Sequence, residues 1–115
     1  AHVTACDYVG LVSGNKVPDK LARAGFSTVR AAHVDAPLIE QLPVAVECRL
    51  KSYDPATGHL VGEIVNVSVD ESVLGADGVP DTDRLDAIVF DGIRNLYRHV
   101  GKAAAPAFEV GKKLI

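Results

Sequence analysis

The sequence predicts a mainly β fold with two or three short helices, and three observations carry that expectation. In residues 44–51, Val44, Val46, Cys48 and Leu50 face one way and Glu47, Arg49 and Lys51 the other, the alternation of a strand with one buried face. Residues 59–69 are rich in Val and Ile on both faces, which reads as a strand buried on two sides. Between them Asp54-Pro55-Ala56-Thr57-Gly58 is a turn cluster, so the two strands form a hairpin.

The other elements follow in chain order. Residues 2–13 place Val3, Tyr8 and Val12, with Ala5 and Val9, on a helical stripe that Gly14 ends. Pro18, Asp19, Arg23 and Gly25 mark a second, short helix: proline and acid at its start, base and glycine at its end. Residues 26–34 hold β-branched residues around Arg30 and read as a short strand. Residues 35–43 are interrupted by Pro37 and Pro43 and have room for about one helical turn. Residues 80–85 start a short helix, and Ala87-Ile88-Val89-Phe90 is a short apolar strand. Residues 91–115 read as loop plus a short tail, with Tyr97 and Phe108 as anchors.

Centring the hairpin turn on Ala56 opposes Tyr53 to His59, Lys51 to Val61, Arg49 to Glu63 and Glu47 to Val65. Glu63 stands among Val61, Val65, Val67 and Val69, where an unpaired carboxylate is costly, so a structural Arg49–Glu63 ion pair is expected. Glu47 and Glu63 can also be read as a catalytic carboxylate pair. Strand residues paired with Arg or Lys are the preferred reading.

At 115 residues, with 48% apolar and 23% charged residues, the chain reads as one globular domain, 1–115. A net charge of −3 offers no basic excess for a phosphate backbone, so nucleic acid is not an expected partner. No apolar run approaches the roughly 20 residues of a membrane span, and the first residues lack the pattern of a signal peptide. Cys6 and Cys48 form no Cys-x-x-Cys pair; reduced thiols, with Cys48 a small core residue, imply a cytoplasmic location. A doubly apolar strand in so small a chain predicts an obligate dimer or a larger assembly.

Neither glycine-rich phosphate motif is present, and His2, His33, His59 and His99 lack the spacing of a helical metal pair. Ser13, in Gly10-Leu11-Val12-Ser13-Gly14, misses a nucleophile elbow by one position. The residues alone name no reaction.

A resemblance goes further. Cys6-Asp7-Tyr8-Val9-Gly10-Leu11-Val12-Ser13-Gly14, followed by Lys16-Val17-Pro18-Asp19-Lys20-Leu21, resembles flavin reductase-like proteins of the flavoredoxin type, which are FMN-binding split barrels. Val34-Asp35-Ala36-Pro37-Leu38-Ile39-Glu40, Pro43-Val44-Ala45-Val46-Glu47-Cys48-Arg49-Leu50, Val61-Gly62-Glu63-Ile64-Val65 and Val69-Asp70-Glu71-Ser72-Val73-Leu74 continue it in the family's order. Ile88-Val89-Phe90-Asp91 and the tail around Tyr97, Val100-Gly101-Lys102-Ala103 and Phe108 complete it. The resemblance covers the C-terminal portion of such proteins, so it implies a split barrel lacking its N-terminal strands.

The resemblance implies FMN as cofactor, a homodimer, and electrons passing from NAD(P)H to flavin or through bound flavin to an acceptor. Such chemistry belongs to the cofactor and needs no catalytic acid or base from the protein. The cofactor-binding candidates are Tyr97, beside the flavin ring, and Arg94, Ser13 and Lys20, with Lys102, toward its phosphate. The alternatives are a truncated split-barrel module without flavin, serving a structural or interaction role, and a barrel that binds another small heteroaromatic ligand.

Overall fold

The computed structural model describes residues 2–115. Helix α1 (Val3–Leu11) and the single turn α2 (Lys20–Arg23) precede strand β1 (Thr28–Arg30). Strands β2 (Pro37–Ile39), β3 (Val44–Asp54) and β4 (His59–Val69) follow. Helix α3 (Thr82–Leu85) leads to strands β5 (Ile88–Asp91) and β6 (Leu96–His99). Among the described residues the strands form antiparallel pairs, β1–β2, β3–β4 and β5–β6. The mainly β expectation holds.

Local chemistry explains the helix ends. Lys20 donates from Nζ to the Val9 and Val12 carbonyls at 2.8 and 3.0 Å, taking up acceptors that the end of α1 leaves open. Asp19 accepts from Arg23 Nε at 2.8 Å across one turn of α2, and Gly25 leaves that turn at φ +78°. Asp81 opens α3 by accepting from the Asp83 N–H at 2.9 Å.

Residues 35–43 correct an expectation: they hold β2, not a helical turn. Thr28 pairs with Ile39, Val29 with Leu38 and Arg30 with Pro37. Residues preceding a proline prefer extended backbone, and Pro37 sits at the strand end, where its missing N–H costs little. The tail is corrected too, since β6 lies where loop was expected. Phe90 pairs with Tyr97 and Asp91 with Leu96. Asp91 Oδ1 accepts the Ile93 and Arg94 N–H groups and Asn95 takes φ +53°, a turn that closes the hairpin.

The β3–β4 hairpin departs from the expected register in two places. The loop closes at Asp54–His59, so Tyr53 faces Leu60 rather than His59. An irregularity between Leu50 and Ser52 leaves Lys51 without a partner. It restores Arg49 opposite Glu63, and a second one, between Glu47 and Cys48, puts Glu47 opposite Asn66 rather than Val65.

The buried apolar residues are Phe26, Ala31 and Val73. The alternation of β3 is real, yet its apolar side is open. Val46, Leu50 and Ile64 are large exposed hydrophobics, and Cys48 is an exposed free thiol rather than a core residue. β4 is therefore not buried on two sides: Val61, Ile64 and Val67 are all more than half exposed. Phe108 anchors nothing, being 94% exposed. No helix is long and apolar enough to cross a membrane among the described residues.

Candidate functional site

The β5–β6 hairpin brings Phe90 and Tyr97 side by side, ring centroids 5.8 Å apart and planes tilted by 53°. Tyr97 donates its hydroxyl proton to Asp7 Oδ1 on α1 at 2.8 Å, linking residues 90 positions apart. Asp7, Gly10 and Leu11 of α1, with Phe90, Asn95 and Tyr97, line an open cleft of about 490 Å³. Gly10 matters here because a β-carbon added to it would meet nothing within 4 Å, so bare helix backbone faces the opening. The Asp7 carboxylate holds the Tyr97 phenol above its ordinary value, because ionising it would lose the hydrogen bond and set two anions together.

The structure distributes the predicted site residues. Tyr97 lines the cleft. Arg94 lies in the hairpin turn beside it and donates its backbone N–H to Asp91 at 3.2 Å. Ser13, just past the C-terminal end of α1, and Lys20, at the start of α2, do not line the cleft. Ser13 Oγ accepts from the Asn15 N–H at 3.3 Å, and the Lys20 ammonium is engaged with Val9 and Val12. Asp7, Phe90 and Asn95 were missing from the sequence-derived set; reading residues 88–99 as a hairpin would have put Phe90 opposite Tyr97 and found one of them.

A flavin needs a flat apolar face for its ring and donors or cations for its phosphate. The cleft fits the first need: two aromatic rings, a leucine and bare helix backbone. Its lining includes a carboxylate and no base, which does not suit a phosphate. Among the described residues no cluster of metal-ligating side chains occurs.

A second polar cluster lies on β3 and β4. Glu47, only 3% exposed, accepts from the Asn66 side-chain amide at 2.7 Å and from the His33 backbone N–H at 2.8 Å. His33 Nδ1 lies 3.2 Å from the same carboxylate. The Asn66 amide and then the His33 N–H hold the Glu47 carboxyl below its ordinary value, against the opposing effect of burial. Glu47 is thus a strand residue satisfied by His and Asn, not by the Arg or Lys expected. Glu63 has cationic neighbours, Lys51 Nζ at 3.1 Å and Arg49 Nη1 at 3.8 Å, so the expected Arg49 contact exists and Lys51 is the nearer base.

No family model matches the sequence, and no curated protein matches it. Solved structures do. Flavoredoxin of Desulfovibrio vulgaris (Miyazaki F) is 39% identical over a match covering 96% of this chain and 60% of that one, with a TM-score of 0.88. Flavoredoxin from Methanosarcina acetivorans is 32% identical, covering 95% of this chain and 57% of that one, with a TM-score of 0.81. An FMN-binding domain of a flavin reductase-like enzyme from Shewanella baltica OS155 shares the fold alone: 16% identity, 91% and 58% coverage, TM-score 0.69. The chain spans about 60% of the length of the flavoredoxin it matches.

Proposed function

Because this chain is flavoredoxin-like over almost its whole length, with the fold of part of a flavin reductase-like split barrel, we propose that it is part of an FMN-binding oxidoreductase. The carrying observation is the 39% identity to a flavoredoxin across 96% of the chain. The flavin supplies the hydride and electron chemistry when bound. This chain's part is to offer the Phe90–Tyr97 face to the ring, with Asp7 fixing the Tyr97 hydroxyl. NAD(P)H as donor, a redox partner as acceptor, a homodimeric state and a cytoplasmic location complete the proposal. Arg94, Ser13 and Lys20 do not converge on the cleft, so a phosphate cradle has to come from polypeptide beyond it, in the same or a partner chain.

FMN titration tests the proposal. Saturable quenching of flavin fluorescence, weakened at least about tenfold by Tyr97→Leu, supports it; about 1.4 kcal/mol of lost contact gives that factor. Unquenched flavin at every protein concentration overturns it. The second reading, a split-barrel module without flavin in a structural or interaction role, is favoured by one observation: the cleft lining holds a carboxylate and no base, which does not suit a flavin phosphate.

A further inference from the structure

Charge in the Phe90–Tyr97 cleft is of one sign. Asp7 supplies a carboxylate, and no Lys or Arg lines the opening among the described residues. Gly10 and Leu11, also in the lining, belong to the last turn of α1, and the carbonyl end of a helix is its partially negative end. Cations of the adjoining segments are engaged elsewhere. Arg98 Nε meets Asp91 Oδ2 at 2.7 Å, and the Lys20 ammonium sits on the Val9 and Val12 carbonyls.

Tyr97 adds no positive end to the cleft. Its hydroxyl proton points to Asp7 Oδ1 at 2.8 Å, so its oxygen offers lone pairs to anything else that reaches it. The Asp7 hydrogen bond is the largest cause of the raised Tyr97 pKa, and the Asp7 charge acts in the same direction. A field that resists a second anion on Tyr97 also resists one on a group set beside Tyr97.

A flavin ring is such a group. The oxidised ring is uncharged. A hydride brings two electrons and one proton, so the ring that accepts it carries one negative charge until a further proton binds. Over about 10 Å, at the effective dielectric of a protein surface, one unit charge changes the binding of another about tenfold.

We infer that Asp7 weights this cleft toward the oxidised, uncharged flavin ring and against the reduced, anionic one, and so lowers the potential of flavin bound there. The inference rests on the FMN reading above and names the residue that sets the redox balance of that site. A tenfold difference between the two affinities is a fall of about 30 mV in a two-electron potential. Asp7→Asn isolates the charge, because the amide oxygen still accepts the Tyr97 proton. Polypeptide beyond this chain acts equally on parent and variant, so the comparison cancels its contribution.

Equilibrium dialysis against FMN, anaerobic, is run with the flavin oxidised and again with it reduced by dithionite, at a pH where the free reduced ring is anionic. The ratio of the reduced to the oxidised dissociation constant is expected to fall about tenfold in Asp7→Asn. It is expected to rise in Tyr97→Phe, which keeps an aromatic ring on the face and leaves the carboxylate without its donor. A merely structural role would move both variants the same way. A ratio that fails to fall in a folded Asp7→Asn chain, a folded Asp7→Asn chain that binds neither form, or shifts of one sign in both variants overturns the inference and leaves the FMN reading standing. If circular dichroism shows that Asp7→Asn loses its strands, Tyr97→Phe decides alone, and a ratio that does not rise overturns the inference. A parent chain that binds neither form of FMN overturns the FMN reading and this inference with it.

Discussion

The Tyr97 hydroxyl reaches Asp7 Oδ1 at 2.8 Å and ties the last strand to the first helix. Neutral phenol is the form this bond favours, so the Tyr97 pKa lies above its unfolded value. The contribution to stability is complete below the unfolded tyrosine value and is lost as pH rises through the folded one. In a tyrosinate absorbance titration Tyr97 is therefore expected to ionise above the ordinary tyrosine range. Tyr97→Phe removes the late step and Asp7→Asn moves it down. A late step that survives Tyr97→Phe would contradict this.

The Glu47 cluster behaves oppositely with pH. Its carboxyl is held low in the folded chain, so its contribution is complete above the unfolded glutamate value and fades as pH falls through the folded one. The Asn66 amide is the largest cause and the His33 backbone N–H the next. Asn66→Ala should consequently raise the Glu47 pKa more than His33→Ala, which keeps its backbone N–H. Carbon-13 carboxyl titration reads both; a larger shift in His33→Ala would reverse the assigned order.

The Arg49–Glu63–Lys51 cluster is wet, with Glu63 at 44% side-chain exposure and Arg49 at 64%. Exposed pairs contribute little, so Arg49→Met is expected to cost under about 1 kcal/mol in chemical denaturation. Lys51 lies nearer to Glu63 and partly substitutes for the lost partner. A cost well above that figure would mean the site is dry in solution, covered by a second copy or another segment.

How far the sequence was legible follows from where its signals were local. The β3–β4 hairpin, α1, α2, α3 and β5 were readable because alternation, turn residues and capping residues act over a few positions. Arg49 opposite Glu63 was readable because the irregularity between Leu50 and Ser52 happens to cancel the one-residue offset of the loop closure there. β6 was missed because Arg94, Arg98 and His99 mask a strand whose apolar content is Leu96 and Tyr97. Cys48 was placed in a core because alternation tells which side is apolar and not what covers it. In the candidate site Tyr97 was visible through resemblance, while its partner Asp7 was not, since no local pattern links residues 90 apart.

Gly10 offers a test that separates helix stability from the cleft. Its added β-carbon would meet nothing within 4 Å, and it lies inside α1. Gly10→Ala should therefore stabilise the chain by about 0.5–1 kcal/mol, because glycine is the costlier residue in a helix interior. Gly10→Leu should keep most of that gain, since leucine is also a good helix former, while filling the opening beside Leu11 and Tyr97. If the flavin ring lies against Tyr97, the leucine variant loses FMN affinity while melting no lower than the parent. Undiminished FMN binding by a well-folded Gly10→Leu chain would move the ring away from this cleft, whatever the titration of Tyr97 shows.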